Sequence, residues 1–471
     1  MTRPVILWFR RDLRLADHAA LYHAIKTNAP ILPVFVFDTT ILSQLSKEDR
    51  RVTFIWESCL QLHEALIKQG SKLHILQGDP RTCIPEFAQA VGATAVFCNR
   101  DYEPAAIERD QAVAEQLSTF DCLLCDFKDQ VIFEKDEVLT QAGKPYTVFT
   151  PYKNAWLKKV TPFYLRAYPS KPNTGQLAKV TGYDWMPLEA LGFEPQPLAT
   201  KNVFSGEDGA EKLWQDFIHR LPFYHQTRDF PSIKGPSYLS IHLRFGTVSI
   251  RQLANFAMHD SSSGANTWLS ELIWRDFYHQ ILWHFPHVVH SSFKAEYQNL
   301  AFPNNQAWLD AWKKGETGYP IVDAAMRQLS QSGYMHNRLR MVAASFLVKD
   351  LLVDWRLGEA WFAEQLLDFD LAANSGGWQW SASTGCDAQP YFRIFNPISQ
   401  SEKFDAEGKF IRRYVPELAN LSNKWIHAPW LADRQTLEIA GVTLGKNYPK
   451  PIVDHATQRE AALALFKIAK G

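Results

Sequence analysis

The chain has 471 residues, enough for two or three domains of ordinary size, and its core needs neither disulfides nor a structural metal. Lys plus Arg and Asp plus Glu both total 50, which excludes a histone-like polycation but leaves room for a local basic groove. A hydrophobic share of 46% and a charged share of 21% exclude global disorder, and no run approaches the roughly 18 to 20 apolar residues of a membrane helix.

Met1-Thr-Arg-Pro-Val-Ile-Leu-Trp-Phe-Arg-Arg meets charge too early for a signal peptide, so a cytoplasmic protein is expected. Residues 1–135 then alternate apolar runs with helical stretches. The runs are Val5-Ile-Leu-Trp-Phe, Ile31-Leu-Pro-Val-Phe-Val-Phe, Lys72-Leu-His-Ile-Leu, Ala93-Thr-Ala-Val-Phe-Cys and Cys122-Leu-Leu-Cys. This pattern predicts an α/β doubly wound parallel sheet. No Gly-x-Gly-x-x-Gly or P-loop follows any run, so a nucleotide cofactor is expected to bind elsewhere. Cys122 and Cys125 lack a second ligand pair and lie among apolar neighbours, so they read as reduced core thiols, and no metal site is expected.

From 136 to 208 the periodicity dissolves under Pro145, Pro151, Pro162, Pro169, Pro172, Pro187, Pro195 and Pro197, which predicts an interdomain linker. Residues 209–471 return no strand series. Amphipathic stretches at 267–283, 321–330, 337–355 and 359–367 predict a large all-α domain. The last stretch, 459–470, ends the chain, and no long disordered tail is expected.

The helical part places polar groups in aromatic surroundings. Glu271 and Trp274 are three apart, and Arg275 is four from Glu271, so all share one helical face. That fits a surface Glu–Arg pair, or equally a stacking surface, a phosphate partner and a carboxylate turned to a ligand. Asn337, Arg340 and Met341 also share a face; an Asn and an Arg there are costly to bury without partners, whereas Arg338 fits an exposed edge. In Leu367-Asp-Phe-Asp-Leu-Ala-Ala-Asn-Ser-Gly-Gly-Trp-Gln-Trp, Asp368 and Asp370 sit among apolar neighbours and suit a buried arginine or a ligand's N–H groups. Gly376-Gly377 suggests close backbone approach or an unusual turn. Ser237 suits either a helix cap or, with backbone N–H groups, a diphosphate.

Five segments together resemble the photolyase–cryptochrome family: Trp-Phe-Arg-Arg-Asp-Leu-Arg-Leu at 8–15, Trp-Leu-Ser-Glu-Leu-Ile-Trp-Arg at 268–275, Thr-Gly-Tyr-Pro-Ile-Val-Asp-Ala-Ala-Met-Arg at 317–327, Met-His-Asn-Arg-Leu-Arg-Met at 335–341 and Ala-Asn-Ser-Gly-Gly-Trp-Gln-Trp at 373–380. The resemblance runs from residue 5 to about 430 and is greatest to class I bacterial cyclobutane pyrimidine dimer photolyases. It implies FAD in the helical domain, at the floor of a DNA-facing pocket. Tyr224, Ser237, Tyr238, Leu239, Ser240, Trp268, Glu271 and Arg275 match cofactor positions toward the diphosphate and adenine. Asn337, Arg340, Asp368, Asp370 and Asn374 match positions around the isoalloxazine, with Arg340 and Asp368 as an ion pair and Asn374 facing N5. Trp274, Trp380, Met341, Asn337 and Glu271 match the dimer pocket, and Arg228 and Gln400 match DNA contacts.

The same resemblance implies light-driven repair by a deoxyribodipyrimidine photo-lyase acting on UV-damaged DNA as a monomer away from membranes. Trp378 and Trp355 match the first two tryptophans of a flavin-photoreduction chain, but Phe302 stands where the third is usual, with Trp308 or Tyr297 as substitutes. Pro236 replaces a usual threonine. An antenna chromophore, reduced folate or deazaflavin, is compatible with the α/β domain. A six-four photolyase is disfavoured because Asn337 and Met341 occupy the positions of a histidine pair and neither supplies a general acid. A cryptochrome photoreceptor without repair is the remaining alternative. At zero net charge, a local basic rim is expected from Arg228, Lys234, Arg338, Arg393 and Lys403.

Overall fold

The computed structural model describes residues 3–170, 175–179, 182, 185–198 and 203–469. The five apolar runs form strands β1 (Val5–Phe9), β2 (Ile31–Asp38), β3 (His74–Gly78), β4 (Ala95–Asn99) and β5 (Leu123–Phe127). They make one sheet in the order β3-β2-β1-β4-β5 with every pairing parallel. Central β1 pairs Val5 with Ile31 on one side and with Ala95 on the other. Every residue of β1 and β4 is buried, as strands covered on both faces by crossover helices must be. The outer strands are more exposed. β3 begins at His74, not at Lys72 as the apolar run suggested.

The chain divides into two compact units, one comprising residues 1–145, 153–219 and 237–283, the other residues 146–152, 220–236 and 284–471. The first unit holds the sheet and the helices Gly206–Ile218, Ser240–Phe245, Ile250–His259 and Ser263–His284. The proline-rich stretch is not devoid of structure, since it contains the helices Phe149–Lys159 and Pro162–Leu165; Pro172 lies outside the described residues. A buried charge network ties this unit together. Asp129, just past β5, accepts Arg14 at 2.6 Å and Arg251 at 2.7 Å, and Arg251 also reaches Asp17 at 2.9 Å. Burial alone would raise the Asp129 carboxyl, but Arg14 and Arg251 together hold it well below the ordinary carboxylate range.

The second unit packs helices around Trp312, Phe346, Phe362, Trp378 and Phe466. The single helix expected over 337–355 is interrupted. Asn337–Ser345 runs into a π-helical turn, Phe346–Asp350, and a new helix, Trp355–Gln365, starts after an Asp354 cap. The physical reason is a consecutive buried Lys349 and Asp350 with partners in different places. Lys349 Nζ donates to Ser383 Oγ at 3.1 Å, and Asp350 meets His455 at 2.5 Å. The last helix is His455–Ile468; Lys470 of the expected stretch lies outside the described residues.

Replacing Asp129 by Ala leaves two arginines buried beside a single carboxylate, and should destabilise the protein by about 3–5 kcal/mol. Denaturant titration measures this, with Asp129→Asn expected to fall between the variant and the parent.

Candidate functional site

In the first unit, Trp268, Glu271, Trp274 and Arg275 stand on the helix Ser263–His284. Trp268 is a core residue, stacked on Trp214 at 5.7 Å between ring centroids and tilted against Phe217 at 5.0 Å. Glu271 is half-buried. Trp274, also half-buried, has Phe277 edge-on at 5.5 Å and Tyr278 at 5.3 Å. Arg275 donates to the carbonyl of Gln130, which fixes its head. Beside it stands Asp276, which the motif reading passed over. Its buried carboxylate accepts from Ile132 N at 3.2 Å, Phe133 N at 3.2 Å and Trp156 Nε1 at 3.0 Å, while burial pushes it up to about 6.

Ser237 is not the cap of the following helix. Leu239 holds that position without a side-chain bond, and Ser237 Oγ accepts from Leu239 N at 3.4 Å. Ser240 starts the helix exposed. Tyr238 takes φ +60°, a left-handed conformation that is strained for a bulky residue.

In the second unit, Arg220 donates to the carbonyls of Lys234, Gly235 and Pro236 at 2.7, 3.1 and 3.0 Å. A Cβ on Gly235 would lie 2.5 Å from Thr227 O, so only glycine fits this turn. Tyr224 is buried, with the Arg228 guanidinium 5.4 Å from its ring. Arg228 and Arg338 converge on one carboxylate, Asp229, at 3.9 and 2.8 Å. Arg338 also lies 4.4 Å over Phe404, so the exposed edge that its sequence position suggested is a committed, half-buried contact. Lys234, Arg393 and Lys403 are exposed; Gln400 is half-buried, with Oε1 unpaired.

Asn337 is exposed at the start of its helix, and Met341 follows one turn later, half-buried. Arg340 and Asp368 do pair, at 2.8 and 3.0 Å to the two carboxylate oxygens, and Arg340 Nε also donates to Met335 O. Asp370 is the N-cap of the helix Leu371–Ala382, accepting from Ala373 N at 3.2 Å. Gly376 and Gly377 form no turn; both lie inside that helix, and a Cβ at Gly377 would meet nothing within 4 Å. Asn374 donates through Nδ2 to the Glu359 carbonyl at 3.1 Å and to its Oε1 at 2.7 Å. On another face, Ser375 donates to Val288 O at 2.9 Å, and Gln379 donates to Val288 O and accepts from Phe293 N. Trp378 is buried against Trp312 and Phe362, at 6.0 and 4.9 Å. A Cβ at Gly358 would overlap its ring. Trp355 is buried one turn before Gly358, and Trp380 is half-buried.

Two family profiles match the chain: DNA photolyase over residues 5–173 and the FAD binding domain of DNA photolyase over residues 268–468. A curated relative from Vibrio cholerae, named deoxyribodipyrimidine photo-lyase, is 40% identical, with 99% of this chain and 100% of the relative covered. The chain belongs to the photolyase–cryptochrome family. Among solved structures of that family, a class III photolyase from Agrobacterium tumefaciens superposes with a TM-score of 0.91 at 38% identity, covering 100% of this chain and 98% of its own. A cryptochrome from Synechocystis superposes with a TM-score of 0.87 at 29% identity, covering 99% of each.

FAD is the cofactor of this family's helical domain, and the donor set fits a flavin. Asn374 has committed its amide nitrogen, leaving the oxygen as an acceptor. Arg340 and Asp368 form a neutral pair, and the bare backbone at Gly377 permits close approach. Glu359, Ser375 and Gln379 were missed by motif reading. Their signal was a Glu beside Ala360-Trp-Phe, and a Ser and Gln four apart on the helix carrying Asn374.

Gly358→Ala should push on the Trp378 indole and cost roughly 1–3 kcal/mol in a denaturant titration. His336 caps the helix Asn337–Ser345 by accepting at Nδ1, and burial lowers it from 6.5 to about 4. Between those values the unfolded chain binds a proton that the fold excludes, so stability is lost as pH falls through this window, on the order of 3 kcal/mol in all. His336→Asn keeps a capping acceptor and should flatten that part of the stability–pH curve.

Proposed function

We propose that the chain is a light-driven lyase that repairs cyclobutane pyrimidine dimers in DNA, with FAD as its cofactor. The observation that carries this is the orientation of Asn374. With Nδ2 given to Glu359, the group left for a ligand is an acceptor, which suits a flavin protonated at N5 and therefore reduced. Reduced FAD, when bound, supplies the light-excited electron that opens the cyclobutane ring and takes it back afterwards.

The chain's own residues do the rest. Tyr224, Ser237, Tyr238, Leu239, Ser240, Trp268 and Arg275 would hold the diphosphate and adenine side. Asn337, Arg340, Asp368, Asp370 and Asn374 would hold the flavin side, with the Arg340–Asp368 pair adding polarity without net charge. Trp274 and Trp380 supply stacking surfaces for a dimer flipped from the duplex, whose poor pairing lowers the few-kcal/mol cost of extrusion. Met341 is a soft contact, and Glu271 a hydrogen-bonding partner for the dimer. Arg228, Gln400 and the exposed Lys234, Arg393 and Lys403 contact the DNA strand. Trp378 and Trp355 are inner members of a chain that reduces the flavin under light. Residues 1–135 serve as the α/β domain, open to a folate or deazaflavin antenna, 136–208 as the linker and 209–471 as the FAD domain.

The likeness to the Synechocystis cryptochrome favours one other reading, a photoreceptor without repair. An absorption spectrum and a repair assay decide between them. Flavin bands with light-dependent loss of cyclobutane dimers support the proposal; flavin bands without affinity for dimer-containing DNA support the photoreceptor; no flavin sinks both. Trp274→Ala should lower the preference for damaged over undamaged DNA. Arg228→Ala should weaken binding to both and make it less dependent on salt.

A further inference from the structure

The last helix, His455–Ile468, is tied to the core near both of its ends. Just before it, Tyr319 donates its hydroxyl to Val453 O at 3.0 Å, and at its start His455 meets the buried Asp350 at 2.5 Å. Near its end stands Phe466, fully buried, with Tyr297 edge-on at 5.5 Å and Lys349 Nζ 3.5 Å from the ring centre. Lys349 is itself buried, with Ser383 Oγ and this ring as its partners and no carboxylate at ion-pair distance among the described residues. Ammonium and ring therefore hold each other in place.

Phe466 has one further neighbour, Tyr391, whose ring lies parallel to it, 6.2 Å between centroids and 6° between planes. Tyr391 belongs to the connection between the helices Leu371–Ala382 and Pro397–Phe404. That connection is anchored early, where Thr384 O accepts from Lys294 N at 3.0 Å and Asp387 accepts from Phe149 N at 2.9 Å. Beyond Asp387, Tyr391 is the next apolar side chain packed on the helical core. Immediately after it come Phe392, 58% exposed, and the exposed Arg393, whose N–H closes a turn on Pro390 O at 2.9 Å. Tyr391 is thus the root of the turn that carries both. A bare ring beside a guanidinium suits a partner with π-faces and negative charge, as a nucleic-acid strand has.

We propose that the terminal helix is a brace for this turn: Phe466 holds Tyr391, and Tyr391 fixes the backbone from which Phe392 and Arg393 meet DNA. The proposal rests on the DNA-repair reading above. Phe466 and Tyr391 are positioning residues. Without their stack the turn must be ordered when DNA binds, and that ordering is lost from the affinity. The flavin side chains lie elsewhere in the fold, so the chemistry on bound DNA is untouched.

The test measures, on flavin-loaded protein, the dissociation constant for a duplex carrying one thymine cyclobutane dimer and the light-dependent repair rate at saturating duplex. Phe466→Leu and Tyr391→Leu should each raise the dissociation constant roughly three- to tenfold, with the saturated repair rate unchanged. Tyr391→Phe, which keeps the ring, should match the parent. The double variant should bind no more weakly than the weaker single one, because both remove the same contact. If Tyr391→Leu weakens binding while Phe466→Leu does not, or if the two effects multiply, the helix is no brace and the proposal is overturned. It is also overturned if Arg393→Ala weakens binding while both leucine variants bind as the parent does, an outcome that leaves the DNA contact standing. A parent without affinity for the dimer duplex sinks the repair reading itself. Should Phe466→Leu not retain flavin, the Tyr391 pair decides: an unchanged Tyr391→Leu overturns the proposal, and a loss that Tyr391→Phe restores sustains it.

Discussion

A carboxamide offers one acceptor and two donors, and which of them a ligand meets depends on what has already engaged the other end. In this protein Glu359 engages Asn374 twice, through its backbone carbonyl and its carboxylate. Burial raises the Glu359 carboxyl while the Asn374 bond opposes the rise, so the contact is most favourable when the carboxylate is charged. The geometry holds only if the helix Leu371–Ala382 cannot rotate, and three kinds of anchor prevent rotation. Asp370 caps its start, Ser375 and Gln379 bind the backbone of the 288–293 segment, and the edge of the Trp378 indole occupies the space where a side chain at Gly358 would stand. The amide's orientation is thus a property of the whole helix.

Much of this was legible in the amino-acid order, and the failures share a cause. The parallel sheet could be read because buried strands need nothing but apolar residues, and β1 and β4 have little else. Where a residue's partner lies far along the chain, local pattern misleads. The 337–355 stretch has helical periodicity, yet Lys349 and Asp350 answer to Ser383 and His455 and break it. Arg338 looks solvated until Asp229 and Phe404 are brought to it. Gly376-Gly377 looks like a turn, although inside a pinned helix two glycines instead bare the backbone beside Asn374. The motif positions themselves were identifiable, but the residues that orient them, Glu359 and Gln379, carry no motif.

Zero net charge takes on a different meaning once pairings are known. In the first unit Arg10 is spent on Asp110, Arg11 on Asp101 and Glu103, and Arg14 and Arg251 on Asp129 and Asp17. In the second, Arg327 meets Glu417 and Arg340 meets Asp368. Neutrality therefore reflects internal pairing more than a featureless surface. Exposed cations such as Lys26, Lys158, Lys314, Arg393 and Lys403 belong to a chain with as many carboxylates as cations, and zero net charge makes a weak general attraction for a polyanion. Under the proposed repair function, discrimination between DNA molecules rests on short-range contacts, and stacking surfaces provide these without adding charge.

Aromatic packing and the placement of lysines constrain each other in this protein. Trp214 on Trp268, and Trp156 donating to Asp276, are core contacts that fix helices. The cluster of Trp312, Phe362 and Trp378 is held by the same forces. The charges around the rings of this unit are lysines laid over aromatic faces: Lys349 at Phe466 and Lys313 at Trp361. Each stabilises a neutral ring and opposes a cation on it. A lysine held on a ring face has its charge partly compensated beside apolar packing, so the rings that fill this core also carry cations that the core would otherwise exclude.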